Sequence, residues 1–219
     1  MIALDFEPVL AEWPLLAIGA AWTVGLTAVA ATLGVALGIA CGRARTHGGP
    51  WLRRLAGGYV EAIRNTPFIV QLFFIFFGLP GLGIKLTPET ASVLAMVINL
   101  GAYSAEIVRA GVAATPRGQL EAARSLAMSE TQVFLRVVLP PALKRVWPAL
   151  VGQIVIVMLG SAVCGQISVP ELSHAANLIQ SRNFRGFESF ILATLVYLSL
   201  ALALRRLLGW AGPRFLFGR

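Results

Sequence analysis

A chain of 219 residues that is 57% hydrophobic and only 13% charged falls well below the roughly 25% charged expected of a soluble domain. Its 18 Lys and Arg outnumber 10 Asp and Glu for a net charge of +8, but the basic residues cluster beside apolar runs, where anionic headgroups meet them. Membrane lipid is therefore an expected partner and nucleic acid is not.

Five stretches carry no charge at all: 13–42, 65–84, 90–105, 146–170 and 189–204. A spanning helix needs about 20 apolar residues, and the two stretches of 16 reach that length if a flanking charge snorkels to the interface. The sequence thus predicts an all-α integral membrane fold with five transmembrane helices, at about 15–42, 65–84, 89–108, 146–170 and 188–206. They form one domain, 15–210, between an external segment 1–14 and a cytoplasmic tail 211–219. Asp5, Glu7 and Glu12 precede the first helix, which is the wrong charge for a cleaved signal peptide.

Basic residues orient the bundle. The gaps after the first and third helices and the tail after the fifth hold 15 Lys and Arg, whereas the opposite side holds only Lys85, Arg182 and Arg185. The imbalance predicts an external N-terminus and a cytoplasmic C-terminus.

In chain order, the first helix carries Ala30, Gly34, Gly38 and Gly42 at four-residue spacing. Such a stripe of small residues lets a neighbouring helix approach closely in lipid, and another subunit is one candidate neighbour. A turn at His47-Gly48-Gly49-Pro50 then leads into a short amphipathic stretch. The second helix is expected to open at Thr66-Pro67 with proline in its first turn. The third places Asn99, Tyr103 and Glu106 on one face. That face reads either as a substrate path or partner contact, or as packing in which Asn99 joins helices and Glu106 pairs with Arg109.

Thr115-Pro116 reads as an N-cap opening a helix over 116–127. Ser129-Glu130-Thr131-Gln132 fits a capping box and opens a second short helix to about Val138, stopped by Leu139-Pro140-Pro141. Together these form a compact cytoplasmic knob; an interfacial hairpin lying on the membrane is the alternative. The fourth helix buries Gln153, Ser161 and Gln166. The gap 171–188 is long enough to touch an external partner. Polarity at membrane depth marks Gln71, Asn99, Tyr103, Glu106, Gln153 and Ser161 as substrate-path candidates.

Catalytic signatures are missing. There is no G-x-x-x-x-G-K-[ST], no G-x-S-x-G and no H-E-x-x-H, and the only Asp is Asp5. No ATPase chemistry, resident cofactor or metal is therefore expected in this chain, and no enzyme activity. Cys41 and Cys164 lie in apolar runs and read as packing residues.

Glu121-Ala122-Ala123, three residues, Ala127, nine residues, Val137, one residue and Leu139-Pro140 resemble the EAA loop of bacterial type I ABC importer permeases. Gly and Ile are usual where this chain has Ala127 and Val137. The stretches 59–67 with Val70-Gln71-Leu72, and 101–111, resemble the polar amino acid subfamily of the histidine, glutamine and glutamate type. The chain departs from it at Leu159-Gly160-Ser161-Ala162, where that subfamily shows Lys-Asp-Thr-Ser. The resemblance implies the ABC transporter type I transmembrane fold, with Glu121, Ala122, Ala123 and Ala127 coupling to an ATPase and Leu139 and Pro140 ending the knob. It also implies a bacterial cytoplasmic (inner) membrane location and a second permease subunit, identical or paralogous. Further partners would be a dimeric cytoplasmic P-loop ATPase carrying ATP and Mg, and a periplasmic or lipid-anchored substrate-binding protein. The expected substrate is an amino acid. Opines, ectoine-type osmolytes and other zwitterions are the alternative cargo, and a membrane scaffold or intramembrane enzyme is the reading from another class.

Overall fold

The computed structural model describes residues 4–216, so the ends of the expected external segment and tail, 1–3 and 217–219, lie outside the described residues. The helices are α1 (Glu7–Leu10), α2 (Trp13–His47), α3 (Pro50–Arg64), α4 (Phe68–Leu82), α5 (Pro88–Ala113), α6 (Arg117–Ser125), α7 (Glu130–Ile167), α8 (Leu172–Asn183) and α9 (Gly186–Ala211). No strand occurs among the described residues. α2, α5, α7 and α9 are long and apolar enough to cross a membrane, and α3 with α4 forms a pair bent by 110° that makes a fifth crossing if the two are one span.

The glycine stripe of α2 packs against the chain's own α5, not another subunit. A Cβ on Gly34 would lie 2.9 Å from Leu100 Cβ, one on Gly42 3.0 Å from Val108 Cγ1, and one on Gly38 would overlap Ser104 Cβ. Without a hydrophobic effect between helices in lipid, this backbone approach supplies the packing that holds α2 on α5.

The second expected helix, 65–84, is not continuous. Proline disfavours the α conformation in the residue before it, and Pro67 itself is extended (φ −63, ψ 140), serving as the N-cap of α4 rather than its first turn. A break inside a membrane frees carbonyls that lipid cannot satisfy. Gln71 supplies the missing donor: its Nε2 donates to Ile63 O at 2.7 Å, Thr66 O at 3.0 Å and Thr66 Oγ1 at 2.9 Å. Its Oε1 accepts from Asn99 Nδ2 at 3.0 Å, which pins the bend to α5. Gln71→Leu is expected to lower stability by about 2 kcal/mol, because it leaves buried polar groups unpaired. Thermal unfolding of the detergent-purified protein reads this, and an unchanged midpoint would refute the clasp.

Pro140 and Pro141 do not end a helix. α7 runs on from Glu130 to Ile167, correcting both the expected stop at 139–141 and the expected start of the fourth span at 146. A proline within a helix removes an N–H and crowds the carbonyl four residues back. Val133–Val138 takes a π-helical register just before them, and this local bulge absorbs the rings without breaking the helix. Leu139 and Pro140 therefore lie inside a continuous helix and do not stop one.

Three buried clusters stack along the bundle. One fills the middle with Leu26, Leu72, Leu100 and Ile154. At the α6 end, Val112, Ala123, Phe134 and Val138 pack together. At the opposite end, Val9, Leu16, Leu172 and Ile179 do so. There Glu171, fully buried, caps α8 by accepting from His174 N–H at 2.8 Å and Ser173 N–H at 2.9 Å, and it accepts from the Tyr197 hydroxyl at 2.5 Å. Burial pushes its carboxyl above the ordinary value, against these donors, which hold it down.

Candidate functional site: a projecting helix between two spans

α6 stands between the end of α5 and the start of α7, with one side packed and one side free. Ala123 is buried against Phe134 and Val138, while Leu126 is 77% exposed. Glu121, Ala122, Arg124 and Ser125 are exposed too. The helix is capped by Pro116 in extended conformation rather than by Thr115, and it ends at Ser125, two residues short of expectation.

Its C-terminus is a Schellman turn. Met128 N–H donates to Ala123 O at 3.3 Å and Ala127 N–H to Arg124 O at 2.9 Å, which places Ala127 in the left-handed region with φ 54. That position favours glycine, because a Cβ there crowds the backbone. Glycine, usual at this position of the EAA loop that the segment resembles, would fit this backbone without that crowding. Ala127→Gly is expected to stabilise the protein by about 1 kcal/mol, read as a higher unfolding midpoint; an unchanged or lower midpoint would count against the strained turn. The capping box expected at Ser129 is present: Ser129 N–H donates to Gln132 Oε1 at 2.8 Å, and Gln132 N–H to Ser129 Oγ at 3.4 Å. It opens the long α7, not a second short helix.

Beneath α6 the contacts run into the bundle. Arg43 of α2 lies over the Phe134 ring at 5.2 Å and donates to Thr131 Oγ1 at 2.8 Å. Glu106 bridges Arg45 of α2 and Arg109 of α5. These contacts tie α7 to α2 and α2 to α5 beneath α6. Arg124 pairs with Glu130 at 3.2 Å, but both are more than half exposed, so the pair adds under about 1 kcal/mol. The Glu121 carboxylate has no hydrogen-bond or ion-pair partner among the described residues.

The substrate-path candidates do not converge. Gln71 and Asn99 are bound to each other at the α3–α4 bend. Tyr103 lies under Arg64 at 5.5 Å. Glu106 follows the packing reading and pairs with Arg109, with Arg45 as an added partner that the local spacing had not revealed. Ser161 is fully buried and donates to Met158 O at 2.7 Å. Gln153, like Tyr103, is half-buried without a hydrogen bond among the described residues, and it lies on the edge of the exposed α7 face that carries Gly152, Ile156 and Leu159.

Membrane-crossing helices with a polar helix held out between two of them are an arrangement suited to a transport permease. Residues 34–217 match the model of the binding-protein-dependent transport system inner membrane component, and the chain belongs to that family. It is 39% identical over 177 residues to the "Probable glutamine ABC transporter permease protein GlnP" of Bacillus subtilis (strain 168), covering 78% of this chain and 81% of that protein. To the "Glutamine transport system permease protein GlnP" of Escherichia coli (strain K12) it is 35% identical over 202 residues, 91% of this chain and 92% of that one. The solved "Crystal structure of an amino acid ABC transporter with histidines" superposes with a TM-score of 0.86 at 35% identity, covering 95% of this chain and 98% of that chain. The chain is accordingly a non-enzymatic, multi-pass inner-membrane permease subunit with the type I ABC fold, and it works with a partner permease and a separate ATPase.

Proposed function

We propose that this permease carries an amino acid into the bacterial cell by alternating access, with α6 as the handle through which ATP drives the change. The observation that carries this is α6 itself: a short helix braced from below by Ala123 and Phe134, offering Glu121, Ala122 and Leu126 to a partner. The partner is a dimeric cytoplasmic P-loop ATPase, which binds the ATP and Mg. The distribution of Lys and Arg supports an external N-terminus and a cytoplasmic C-terminus, with α6 inside the cell. A periplasmic or lipid-anchored binding protein meets the opposite end, near α8. The glutamine relatives support an amino acid as cargo, and Gln153 is a polar group of α7 free to face it. Two permease subunits, identical or paralogous, enclose the passage. To shift them from 1:99 to 99:1 between inward-open and outward-open, ATP must favour one state by roughly 5.5 kcal/mol.

Reconstitution tests this. Proteoliposomes holding the permease pair, its ATPase and the binding protein should take up an amino acid only with ATP and Mg, and the ATPase should co-purify in stoichiometric amount. A permease that purifies without an ATPase, or uptake indifferent to ATP, would overturn the reading.

A further inference from the structure

α6 and the first turns of α7 leave a groove of about 520 Å³ between them. One wall is Ala122 and Leu126 of α6, with Met128 from the turn that follows; the other is Arg136, Val137 and Pro141 of α7. At about 100° per residue, Ala122 and Leu126 share one face of α6, beside the buried Ala123 and away from Glu121. On α7, the π turn over Val133–Val138 is wider than an α turn, and Arg136 and Val137 share the wall that Pro141 continues.

The groove is mostly hydrocarbon, but its surroundings are not. Five of the nine residues of α6, namely Arg117, Gln119, Glu121, Arg124 and Ser125, are polar, and Glu130 stands exposed where α7 begins. Charges at this density belong in water and not in hydrocarbon. An apolar recess with an exposed leucine on its rim, set among charged groups, marks a protein contact.

Arg136 gives the groove a charge. It is exposed and has no ion pair, hydrogen bond or ring contact among the described residues. Arg124 is paired with Glu130 and Arg43 with Thr131. Arg117 is unpaired too, but it stands on the face of α6 opposite Ala122 and Leu126. Arg136 is therefore the cation that a group seated in the groove meets, and its planar fork suits a carboxylate.

We propose that the groove is a socket for the ATPase: an apolar side chain of that subunit seats between Ala122, Leu126 and Val137, and a carboxylate beside it pairs with Arg136. This rests on the coupling reading above and deepens it. The groove is continuous with the surface proposed there, since Ala122 and Leu126 belong to both. α6 is then held on two faces, at Glu121 and at the groove, and α7 touches the ATPase directly. A second copy of this chain suits the groove poorly, because the gaps and tail on the α6 side of the bundle carry 15 Lys and Arg and would bring like charge to Arg136.

The test uses the assembled transporter, the permease pair with its ATPase. A photoreactive benzophenone side chain at Gln119, exposed on the rim of the groove, should cross-link to the ATPase when membranes are illuminated. Arg136→Glu should speed dissociation of the ATPase from the diluted complex about tenfold, equivalent to 1.4 kcal/mol. The permease's own unfolding midpoint should not move, because Arg136 has no partner within the chain among the described residues. Arg136→Lys, which keeps the charge, should recover most of the loss. Val137→Phe, which fills the groove and keeps every charge, should also speed release. Arg54→Glu, equally exposed and unpaired on α3, should leave the rate unchanged. Cross-linking to lipid or to the second permease, a parental rate in Arg136→Glu, or an equal effect of Arg54→Glu would each overturn the socket. Any of these, with Glu121→Lys still releasing the ATPase, removes the groove and keeps α6 as the handle. A wild-type permease that purifies without an ATPase removes the coupling reading, and the socket with it.

Discussion

Glu121→Lys is expected to cut ATP-dependent uptake by about a hundredfold or more while leaving expression and unfolding midpoint at parental values. Glu121 is exposed on α6, and its carboxylate touches no other group of the chain among the described residues, so replacing it disturbs no packing within the subunit. Any loss must therefore arise across an interface. Breaking a desolvated charge contact between proteins costs about 2–5 kcal/mol, and 1.4 kcal/mol is tenfold in affinity. Reversing the sign adds repulsion to that loss. Uptake into proteoliposomes and co-purification of the ATPase should fall together, with Glu121→Gln falling between. Parental uptake by the lysine variant would remove Glu121 from the interface.

The membrane character of the chain and the place of α6 were legible because both are local. An uncharged run of 30 residues announces its span without reference to the rest, and Ser129 and Gln132 cap α7 within one turn. The proline pair was misread because its outcome is not local. Leu139-Pro140-Pro141 stops an isolated helix, but here Phe134 and Val138 are buried on Ala123 and Val112, and that packing makes a π bulge cheaper than a break. The polar face of α5 was placed correctly as a face, yet its partners lie far away in sequence. Gln71 is 28 residues from Asn99, and Arg45 is 61 from Glu106, distances at which spacing carries no signal. Ala127 is the reverse case. The departure from glycine is plain in the sequence; its cost becomes visible only with the left-handed backbone.

Gly38→Val is expected to be strongly destabilising, costing about 3 kcal/mol by overpacking, whereas Gly25→Val on the same helix should be nearly neutral. A Cβ at position 38 would overlap Ser104 Cβ and sit 3.0 Å from Ala105 N, while one at position 25 meets nothing within 4 Å. Because the obstacle at 38 includes backbone, no rotamer change relieves it, and α2 and α5 must separate. Separation would also pull Arg45 from Glu106, just beyond the same stripe, and so break the ion pair that joins α2 to α5. Unfolding midpoints of the two variants, with yield as a second readout, separate crowding from any general intolerance of valine in α2. Equal midpoints would show that the close approach is not there. A double-mutant cycle sharpens the test: Gly38→Ala should be destabilising alone, and Ser104→Gly, which removes the opposing Cβ together with a buried hydroxyl that has no hydrogen-bond partner, should recover part of the loss.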